Sequence, residues 1–344
     1  MENNNNNNNN NTNYNNANSD NNNNNTNNNS ANNNNDNNNK CNKYNIKNKI
    51  LLAPMEDITN ISYRILALRK GVDLTFTEMI PADFIVKAEM EKSLIQSKIY
   101  EKLKTNKEDK SFVQIFGNDA NIIAKAASIL EKEDFEGIDI NMGCPALKIV
   151  KNNSGSKILT NLELLEEILS KTRNAIKKPL SVKIRLGFEE ENYLDVIKIA
   201  EKYVDFITIH ARLRTQGYSG TADWDAIKKA KSISKVPIVG NGDVKSIEDA
   251  KKKIKEGYCD AVMIGRESYR NMNLFEGKNQ ITKEESKELI MEYYELWKKY
   301  SPDDIFKLRF FIQWTYKTKN IKDLRREINF LKDEKEIMNL LEKY

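Results

Sequence analysis

The sequence predicts a closed (β/α)8 barrel of the TIM type, followed by an all-helical C-terminal domain and preceded by a disordered asparagine-rich tail. After Ile50, eight short apolar runs rich in β-branched residues alternate with longer amphipathic segments. Nearly all of these runs end in a polar or glycine-containing cluster, as expected at the catalytic rim of a barrel. No strand-like run follows Phe275. A doubly wound open sheet is the alternative fold.

The N-terminal tail is defined by its composition. The first forty residues contain 28 asparagines and no apolar run. Such a segment cannot bury enough apolar surface to offset a backbone entropy of roughly 1–2 kcal/mol per residue. We therefore expect residues 1–46 to be disordered. Residues 47–278 would then form the barrel domain, and residues 279–344 the helical domain.

Each predicted strand is a continuous apolar run, which is typical of a strand covered on both faces. The eight strands are Ile50–Pro54, Leu74–Met79, Ser111–Phe116, Gly137–Asn141, Leu180–Arg185, Asp205–His210, Pro237–Asn241 and Asp260–Gly265. The connections between them show helical periodicity. They include helices at Asn121–Glu131, Leu162–Ile176, Tyr193–Lys202, Asp225–Ser232 and Ile247–Lys255.

The C-terminal domain is predicted to contain three helices, at Lys283–Lys299, Asp303–Lys317 and Ile321–Tyr344. In the second helix, apolar residues such as Leu308 fall on one face. Lys307 and Arg309 fall elsewhere, so we expect them to be mostly exposed. A solvated surface and a binding surface both remain open for these charges.

Composition and charge exclude several classes of protein. The chain has 344 residues and a net charge of +5, which is too slight to indicate a nucleic-acid partner by itself. No stretch approaches the roughly 20 apolar residues that span a bilayer, and the N-terminus has no pattern of a secretory signal. Cys41, Cys144 and Cys259 are odd in number and far apart, which disfavours disulfides and zinc. We expect a cytoplasmic protein with no membrane or metal partner.

The sharpest local signal is Asn141–Pro145, which follows the fourth strand. Gly143 permits an unusual backbone angle and Pro145 stiffens the exit, so Cys144 is expected to project from a tight turn at the rim. A free cysteine is more often a small buried apolar residue, and that alternative fits Cys259 better. We therefore favour a chemical role for Cys144.

Several other rim residues indicate a large anionic cofactor. Lys183 lies inside an apolar strand, where its charge is costly unless it meets an anion. His210, the single histidine, ends the sixth strand. Glycine turns follow strands seven and eight, the position where barrels bind phosphate through backbone N–H groups. These turns are Asn241-Gly242-Asp243 and Gly265-Arg266, with ordinary strand-to-helix turns as the alternative interpretation.

From about Ile50 to the C-terminus, the chain resembles the tRNA-dihydrouridine synthases, flavin enzymes that have a barrel and a C-terminal helical domain. The segments that carry the resemblance are Leu52–Met55, Val113–Gly117, Asn141–Pro145, Val182–Gly187 and His210–Trp224. The resemblance implies reduction of the C5=C6 bond of specific tRNA uridines, with FMN as cofactor and NADPH or NADH as hydride donor. It also implies tRNA as the partner, and we expect a monomer.

The resemblance also implies roles for individual residues. Cys144 would protonate C5, which suits a thiol whose ordinary pKa is about 8.5. Asn141 and Arg185 would hold the extruded base, and Arg212 and Arg214 would grip the RNA backbone together with the C-terminal helices. The residues implied to bind FMN are Ala53, Pro54, Met55, Gln114, Lys183, His210, Asn241, Gly242, Asp243, Gly265 and Arg266.

Two other functions remain open at this point. A flavin barrel acting on a free pyrimidine, similar to dihydroorotate dehydrogenase, would share the phosphate site but would need no RNA-binding arginines such as Arg212 and Arg214. A non-catalytic RNA-binding barrel would need neither Cys144 nor Lys183. Flavin colour on purification, and activity on tRNA but not on orotate or uracil, separate these functions.

Overall fold

A parallel β-barrel forms the centre of the protein; the computed structural model describes residues 44–90, 101–317 and 321–343. Within these residues the strands are β1 (Ile50–Leu52), β2 (Thr75–Phe76), β3 (Ile80–Pro81), β4 (Ser111–Phe116), β5 (Gly137–Met142), β6 (Leu180–Gly187), β7 (Phe206–Leu213), β8 (Ile238–Asn241) and β9 (Ala261–Ile264). Their order is β1-β9-β8-β7-β6-β5-β4-β2, and β3 pairs with β4 beyond β2.

The sheet closes on itself between β1 and β2. The backbone N–H of Leu52 donates to the carbonyl of Leu74 at 3.0 Å, and that of Asp73 donates to Ile50 at 2.9 Å. Since β2 and β3 share one position, the sheet has the eight strand positions of a (β/α)8 barrel. The predicted fold class is confirmed, and the open-sheet alternative is wrong.

The second predicted strand, Leu74–Met79, is interrupted at Thr77. The Thr77 hydroxyl accepts the backbone N–H of Gln114 at 3.0 Å and donates to the carbonyl of Glu78 at 2.8 Å. The Thr77 side chain thus accepts a backbone N–H that a backbone carbonyl would accept in a continuous strand pair. The strand therefore divides into β2 and β3, a division that the apolar pattern did not reveal.

Helices surround the barrel and continue beyond it. In the described part of the chain they are α1 (Ile61–Arg69), α2 (Ala82–Met90), α3 (Ala120–Leu130), α4 (Leu147–Lys151), α5 (Leu162–Ala175), α6 (Tyr193–Ala200), α7 (Trp224–Ile233), α8 (Ile247–Lys255), α9 (Glu267–Arg270), α10 (Lys283–Tyr300), α11 (Ile305–Thr315), α12 (Ile321–Ile328) and α13 (Glu334–Lys343). The predicted helix Ile321–Tyr344 divides because the Asp333 carboxylate caps a new helix, accepting N–H bonds from Lys335 and Glu336. None of the described helices has the length and apolarity needed to cross a membrane.

The barrel interior near the strand starts is filled by apolar side chains. Ile46 is fully buried there, and the ring of Tyr44 meets the ring of Phe112 edge to face with centroids 5.3 Å apart. Tyr44 and Ile46 fall within the predicted tail, residues 1–46, whereas the structure packs them against the barrel. The rest of the predicted tail, residues 1–43, lies outside the described residues. Apolar side chains thus fill the end of the barrel at which the strands begin. A ligand site is therefore expected at the opposite rim, where the strands end.

The C-terminal helices pack against the outside of the barrel. The Asn60 amide donates to the Tyr293 hydroxyl at 3.1 Å, and the rings of Tyr293 and Phe311 stack with centroids 4.0 Å apart. Lys307 is buried and its Nζ donates to the Glu78 carboxylate at 2.8 Å. The expectation that Lys307 is exposed is therefore wrong, because its ammonium group forms an ion pair with a buried carboxylate of the barrel. The domain boundary at residue 278 stays a prediction.

Candidate active site

Two adjoining cavities lie at the C-terminal rim of the barrel. The first has a volume of about 450 Å³ and lies over the ends of β1, β7, β8 and β9. The second, of about 490 Å³, is lined by Cys144 and Gln114. Both volumes fall in the range of roughly 300–1,000 Å³ that is usual for ligand sites. The two cavities share the lining residues Pro54, Met55, Lys183, His210, Tyr218 and Arg266, so they form one site.

The first cavity brings together most of the residues predicted to bind a cofactor. Those that line it are Ala53, Pro54, Met55, Lys183, His210, Asn241, Gly242, Asp243, Gly265 and Arg266. Gln114, the remaining one, lines the second cavity. The convergence follows from the parallel barrel, which brings the carboxyl ends of all its strands to one rim. Cofactor binding by these residues stays a prediction.

Lys183 extends from the middle of β6 into both cavities. Its Nζ donates to Asn241 Oδ1 at 3.3 Å, so its hydrogen-bond partner is a neutral amide. Burial lowers the pKa of Lys183 to about 8, and the positive charge of Arg185 acts in the same direction, while Asp139 opposes both. The charge of the Lys183 ammonium is only partly balanced by Asp139, so the ammonium favours the binding of an anion in the cavity.

His210 presents a neutral imidazole to the first cavity. Burial lowers the pKa of His210 far below its ordinary value, and the nearby charges of Lys183, Arg185 and Arg212 lower it further. Its Nε2 lies 3.3 Å from a guanidinium nitrogen of Arg212, which can only donate. Nε2 is therefore the acceptor, and the proton of the neutral ring lies on Nδ1.

Asp243 holds two arginines at the edge of the first cavity. Its carboxylate accepts from Arg212 at 2.6 Å and from Arg266 at 3.1 Å, and also accepts the backbone N–H of Ala222 at 2.8 Å. One carboxylate between two guanidinium groups leaves a net positive charge. The preceding Gly242 has φ +131°, a conformation that favours glycine, so this turn approaches the cavity with its backbone.

The turn that carries Cys144 is anchored on both sides. Asn141 Oδ1 accepts the backbone N–H groups of Gly143 at 3.1 Å and Cys144 at 2.9 Å. The Cys144 carbonyl accepts the Ser156 hydroxyl at 2.8 Å, and Arg185 Nε donates to the Gly143 carbonyl at 2.9 Å. Cys144 thus lines the second cavity from a fixed turn.

Gly143 suits its position for a different reason from the one predicted. It is not among the described residues with positive φ, so the prediction of an unusual backbone angle is wrong. A Cβ atom at this position would lie 3.2 Å from the carbonyl carbon of Ile184 and 3.3 Å from the Lys183 oxygen. Glycine lets the turn pass close to the backbone of β6.

The Cys144 side chain is held as a thiol. Burial is the main cause that raises the pKa of Cys144, and the Glu56 carboxylate adds to it, whereas Arg185 and Lys183 act in the opposite direction. At neutral pH the group therefore keeps its proton. This state suits a proton donor rather than a nucleophile.

A chain of buried polar side chains beneath the site was missed by sequence reasoning. The Ser181 hydroxyl donates to Asp139 at 2.5 Å, Gln114 Nε2 donates to Asp139 at 2.7 Å, and Asn141 Nδ2 donates to Gln114 Oε1 at 2.8 Å. Asp139 is fully buried. The sequence contains one indication of this chain, which is a charged residue in the middle of the otherwise apolar strand Gly137–Met142.

The arginines predicted to contact RNA have different placements. Arg185 is 2% exposed and donates to the carbonyls of Leu213 and Gly217 at 3.0 and 2.9 Å. Arg212 is 1% exposed and tied to Asp243, a position that disfavours direct contact with an RNA backbone. Arg214 lies outside both cavities, with its guanidinium carbon 4.9 Å from the centre of the Phe188 ring.

Comparison with solved structures supports the barrel fold. The 6-hydroxypseudooxynicotine amine oxidase of Pseudomonas geniculata N1 matches with a TM-score of 0.51 and 12% identity, over 68% of this chain and 47% of that chain. The histamine dehydrogenase of Rhizobium sp. 4-9 matches with a TM-score of 0.50 and 12% identity, over 73% of this chain and 49% of that chain. At such low identity these matches show the fold alone.

Comparison by sequence defines the family. The profile of the dihydrouridine synthase family matches residues 51–344. A probable tRNA-dihydrouridine synthase of Rickettsia conorii is 36% identical over 233 residues, which cover 67% of this chain and 69% of the relative. The tRNA-dihydrouridine synthase B of Pasteurella multocida is 37% identical over 250 residues, which cover 72% of this chain and 74% of the relative. The profile and the relatives agree, and the chain belongs to the dihydrouridine synthase family.

Proposed function

We propose that this protein is an oxidoreductase that reduces the C5=C6 bond of uridines in tRNA to give dihydrouridine, using FMN and NADPH or NADH. The observation that carries the proposal is the junction of the two cavities. Lys183 and His210 line both, so the cavity of Cys144 opens directly into the cavity bordered by cations. The family match and the names of the relatives support tRNA as substrate.

The residues of the first cavity fit FMN. Arg212 and Arg266 share the single carboxylate of Asp243, so the cavity edge keeps positive charge for a phosphate. A Cβ at Gly265 would lie 3.5 Å from the Ala53 Cβ, so the turns after β1 and β9 are in van der Waals range of each other. Lys183, His210 and Asn241 would contact the ring system, and the residues of the β8 and β9 turns would hold the phosphate. When bound and reduced, FMN supplies the hydride that C6 of the uracil accepts.

Cys144 supplies the proton that completes the reduction. Arrival of a hydride at C6 leaves negative charge on C5 and the adjacent carbonyl of the uracil. The Cys144 thiol donates its proton to C5, and water reprotonates the resulting thiolate, so that the base gains one hydride and one proton. The raised pKa of Cys144 keeps the thiol protonated before this step.

Lys183 stabilises negative charge and does not transfer a proton. With a pKa of about 8, its ammonium persists at neutral pH, and it lines both cavities. It would stabilise negative charge that develops between them. Asn141 and Arg185 would support the base chiefly through the Cys144 turn, since both hydrogen-bond to it.

The substrate uridine must leave the base stack to reach Cys144. A uracil inside a folded tRNA is covered by its neighbours, so the base would be extruded into the second cavity. Tyr269 and Ile58 line this cavity beside Cys144 and Pro145, which provides apolar surface for a planar ring.

The proposed function is tested by measuring the flavin content of the purified protein and its reduction of tRNA. We expect non-covalent FMN in the preparation, and we expect tRNA lacking dihydrouridine to gain two hydrogens per modified uridine when NADPH is added. Uracil and orotate should remain unreduced. Reduction of orotate without reduction of tRNA would favour the free-pyrimidine enzyme. Binding of tRNA without flavin or reduction would favour the non-catalytic barrel.

A further inference from the structure

An aromatic row leads from the Cys144 cavity onto the surface. Tyr269 lines the cavity, and its ring centroid lies 6.1 Å from that of Phe310 and 5.2 Å from that of Trp314. Phe306 continues the row, with its centroid 6.1 Å from that of Phe310. We call these four residues the aromatic row. Its three α11 members recur every four residues and therefore lie on one side of the helix.

The aromatic row is distinct from the face with which α11 contacts the core. Leu308, Phe311 and Ile312 are buried, with at most 2% exposure. Phe306 is 46% exposed, and Phe310 and Trp314 are partly exposed. The helix thus has a second apolar side that the described residues leave partly open. A contiguous exposed aromatic surface beside a cavity is typical of a binding surface.

Positive charges gather at the Trp314 end of the aromatic row. The guanidinium carbon of Arg325 lies 4.7 Å from the centre of the Trp314 ring. The Lys317 Nζ donates to the backbone carbonyl of Arg270 at 3.1 Å. Burial lowers the pKa of Lys317, and the positive charges of Arg325 and Arg270 lower it further, while Glu267, which pairs with Arg270, opposes them. Cations that repel one another in this way would be stabilised by a polyanion.

We propose that the aromatic row stacks with unpaired bases of the RNA substrate that neighbour the uridine in the cavity, while Arg270, Lys317 and Arg325 contact the adjoining phosphates. The inference rests on the proposed function and specifies how the substrate is held. Aromatic rings stack with any base, and arginine adds a cation–π contact. The row therefore selects nucleotides that are splayed out of a helix, and it does not read their sequence.

The row is tested by measuring tRNA binding to single variants of the full chain. Trp314→Ala and Phe310→Ala should each weaken the Kd by roughly 5- to 100-fold, the range expected when one stacked base is lost. Trp314→Phe should retain most of the affinity, because a ring remains. Phe330→Ala is the control, since Phe330 is 78% exposed outside the row. It should leave the Kd unchanged.

Two further readouts separate stacking from a loss of structure. Stacked bases should quench the fluorescence of Trp314, so tRNA should quench wild type more strongly than Trp314→Phe. Lys317→Gln relieves repulsion within the protein and should not lower its stability, yet it should reduce the slope of log affinity against log salt by about 0.7–0.9.

The outcomes distinguish this inference from the proposed function. If wild type forms dihydrouridine while Trp314→Ala and Phe310→Ala bind tRNA normally, the aromatic row is not an RNA surface and the proposed function stands. If those variants instead lose self-association and keep RNA binding, the row is a contact between copies of this chain, and the inference is overturned. Absence of dihydrouridine formation by wild type would contradict the proposed function itself.

Discussion

The side-chain oxygen of Asn141 accepts the backbone N–H of Cys144 at 2.9 Å, while its amide nitrogen donates to Gln114 at 2.8 Å. Asp139 determines these directions. Its ionised carboxylate can only accept hydrogen bonds, so Gln114 must donate to it through Nε2 and present Oε1 to Asn141. A buried carboxylate thereby orients two amides and, through them, the turn that carries the proposed proton donor.

We expect Asp139→Asn to separate activity from stability. An asparagine can offer Gln114 either an oxygen or an NH2 group, so the two amides and the Cys144 turn lose a fixed orientation. The kcat for dihydrouridine formation should fall by roughly 10- to 100-fold, as for a misplaced reacting group. The unfolding free energy at pH 7 should not fall, because a buried charge is removed. Urea unfolding and tRNA reduction measure the two quantities, and parallel losses would mean a purely structural role.

The pH dependence of stability gives an independent check on Asp139. Burial raises the pKa of Asp139 to about 6, so the folded protein binds this proton more tightly than the unfolded chain does. The corresponding stability is present below about pH 4 and is lost as the pH rises to about 6. Asp139→Asn should remove this part of the pH profile.

Cys144→Ala should bind FMN normally and leave flavin reduction by NADPH intact. Reduction of tRNA should slow by roughly 10²–10⁴-fold, the usual effect of losing a positioned general acid. Cys144→Ser should be nearly as slow, because a hydroxyl is a weaker acid than a thiol. In wild type this step should slow as the pH rises through the raised pKa of Cys144, since only the thiol donates a proton.

Rapid mixing of reduced enzyme with tRNA measures the step that Cys144 is proposed to serve. Cys259 is the matched control, because it is fully buried in the barrel wall. Cys259→Ala should cost only about 1 kcal/mol of stability and leave the rate unchanged. A Cys144→Ala enzyme that reduces tRNA at the wild-type rate would remove the cysteine from the mechanism.

Lys183→Met should stabilise the protein without cofactor while weakening the binding of FMN. The pKa of Lys183, about 8, lies below its ordinary value of 10.5, so the unfolded chain binds this proton more tightly. The unfolding free energy of wild type without cofactor should therefore rise between about pH 8 and pH 10.5. Met removes the buried charge, and its advantage should be largest near pH 6. Unchanged FMN affinity would contradict the anion-binding role.

Lys307→Met should destabilise the contact between α11 and the barrel. Glu78 is 1% exposed, and removing Lys307 leaves it with Lys102 at 3.2 Å as its remaining ion-pair partner among the described residues. The expected cost is roughly 2–4 kcal/mol, near the range for breaking a buried ion pair. Adding Glu78→Gln should recover part of the loss. A double variant whose loss is the sum of the two single losses would show that the pair is not coupled.

Acid unfolding should report the same ion pair. Burial by itself would raise the pKa of Glu78, but Lys307 and Lys102 outweigh it, so the pKa is lowered. The associated stability is present above the ordinary pKa of glutamate and is lost as the pH falls through the lowered value. In Lys307→Met this loss should begin at a higher pH.

Deletion of residues 1–43 should leave stability and tRNA reduction nearly unchanged, because an asparagine-rich segment contributes little apolar surface. Deletion of residues 1–46 should lower the Tm markedly, since it also removes Tyr44 and Ile46 from the lower barrel. Ile46→Ala in the full chain isolates one of these contacts and should cost roughly 2–5 kcal/mol. Comparing the Tm of the three proteins locates the start of the folded part.

The barrel and the composition of its rim follow from the pattern of the sequence alone. Continuous apolar runs at regular intervals specify parallel strands, and the topology of a parallel barrel then brings all their carboxyl ends together. Residues as far apart as Met55, Lys183 and Arg266 could therefore be assigned to one site and do line a common pair of cavities. Their common location depends on the topology of the barrel and not on side-chain contacts.

Which charged side chains find partners inside the protein depends on the tertiary fold. Lys307 is predicted to be mostly exposed and Arg212 to grip an RNA backbone, yet the buried carboxylate of Glu78 binds the first and the partly exposed carboxylate of Asp243 binds the second. The partners of Asp139 also depend on the fold. This residue orients Asn141 through Gln114, which lies 27 positions from Asn141 in the sequence. Hydrogen-bond and ion-pair partners depend on distances across the fold. The local period of a sequence specifies which face of an element is apolar, but it does not specify which side chain lies opposite.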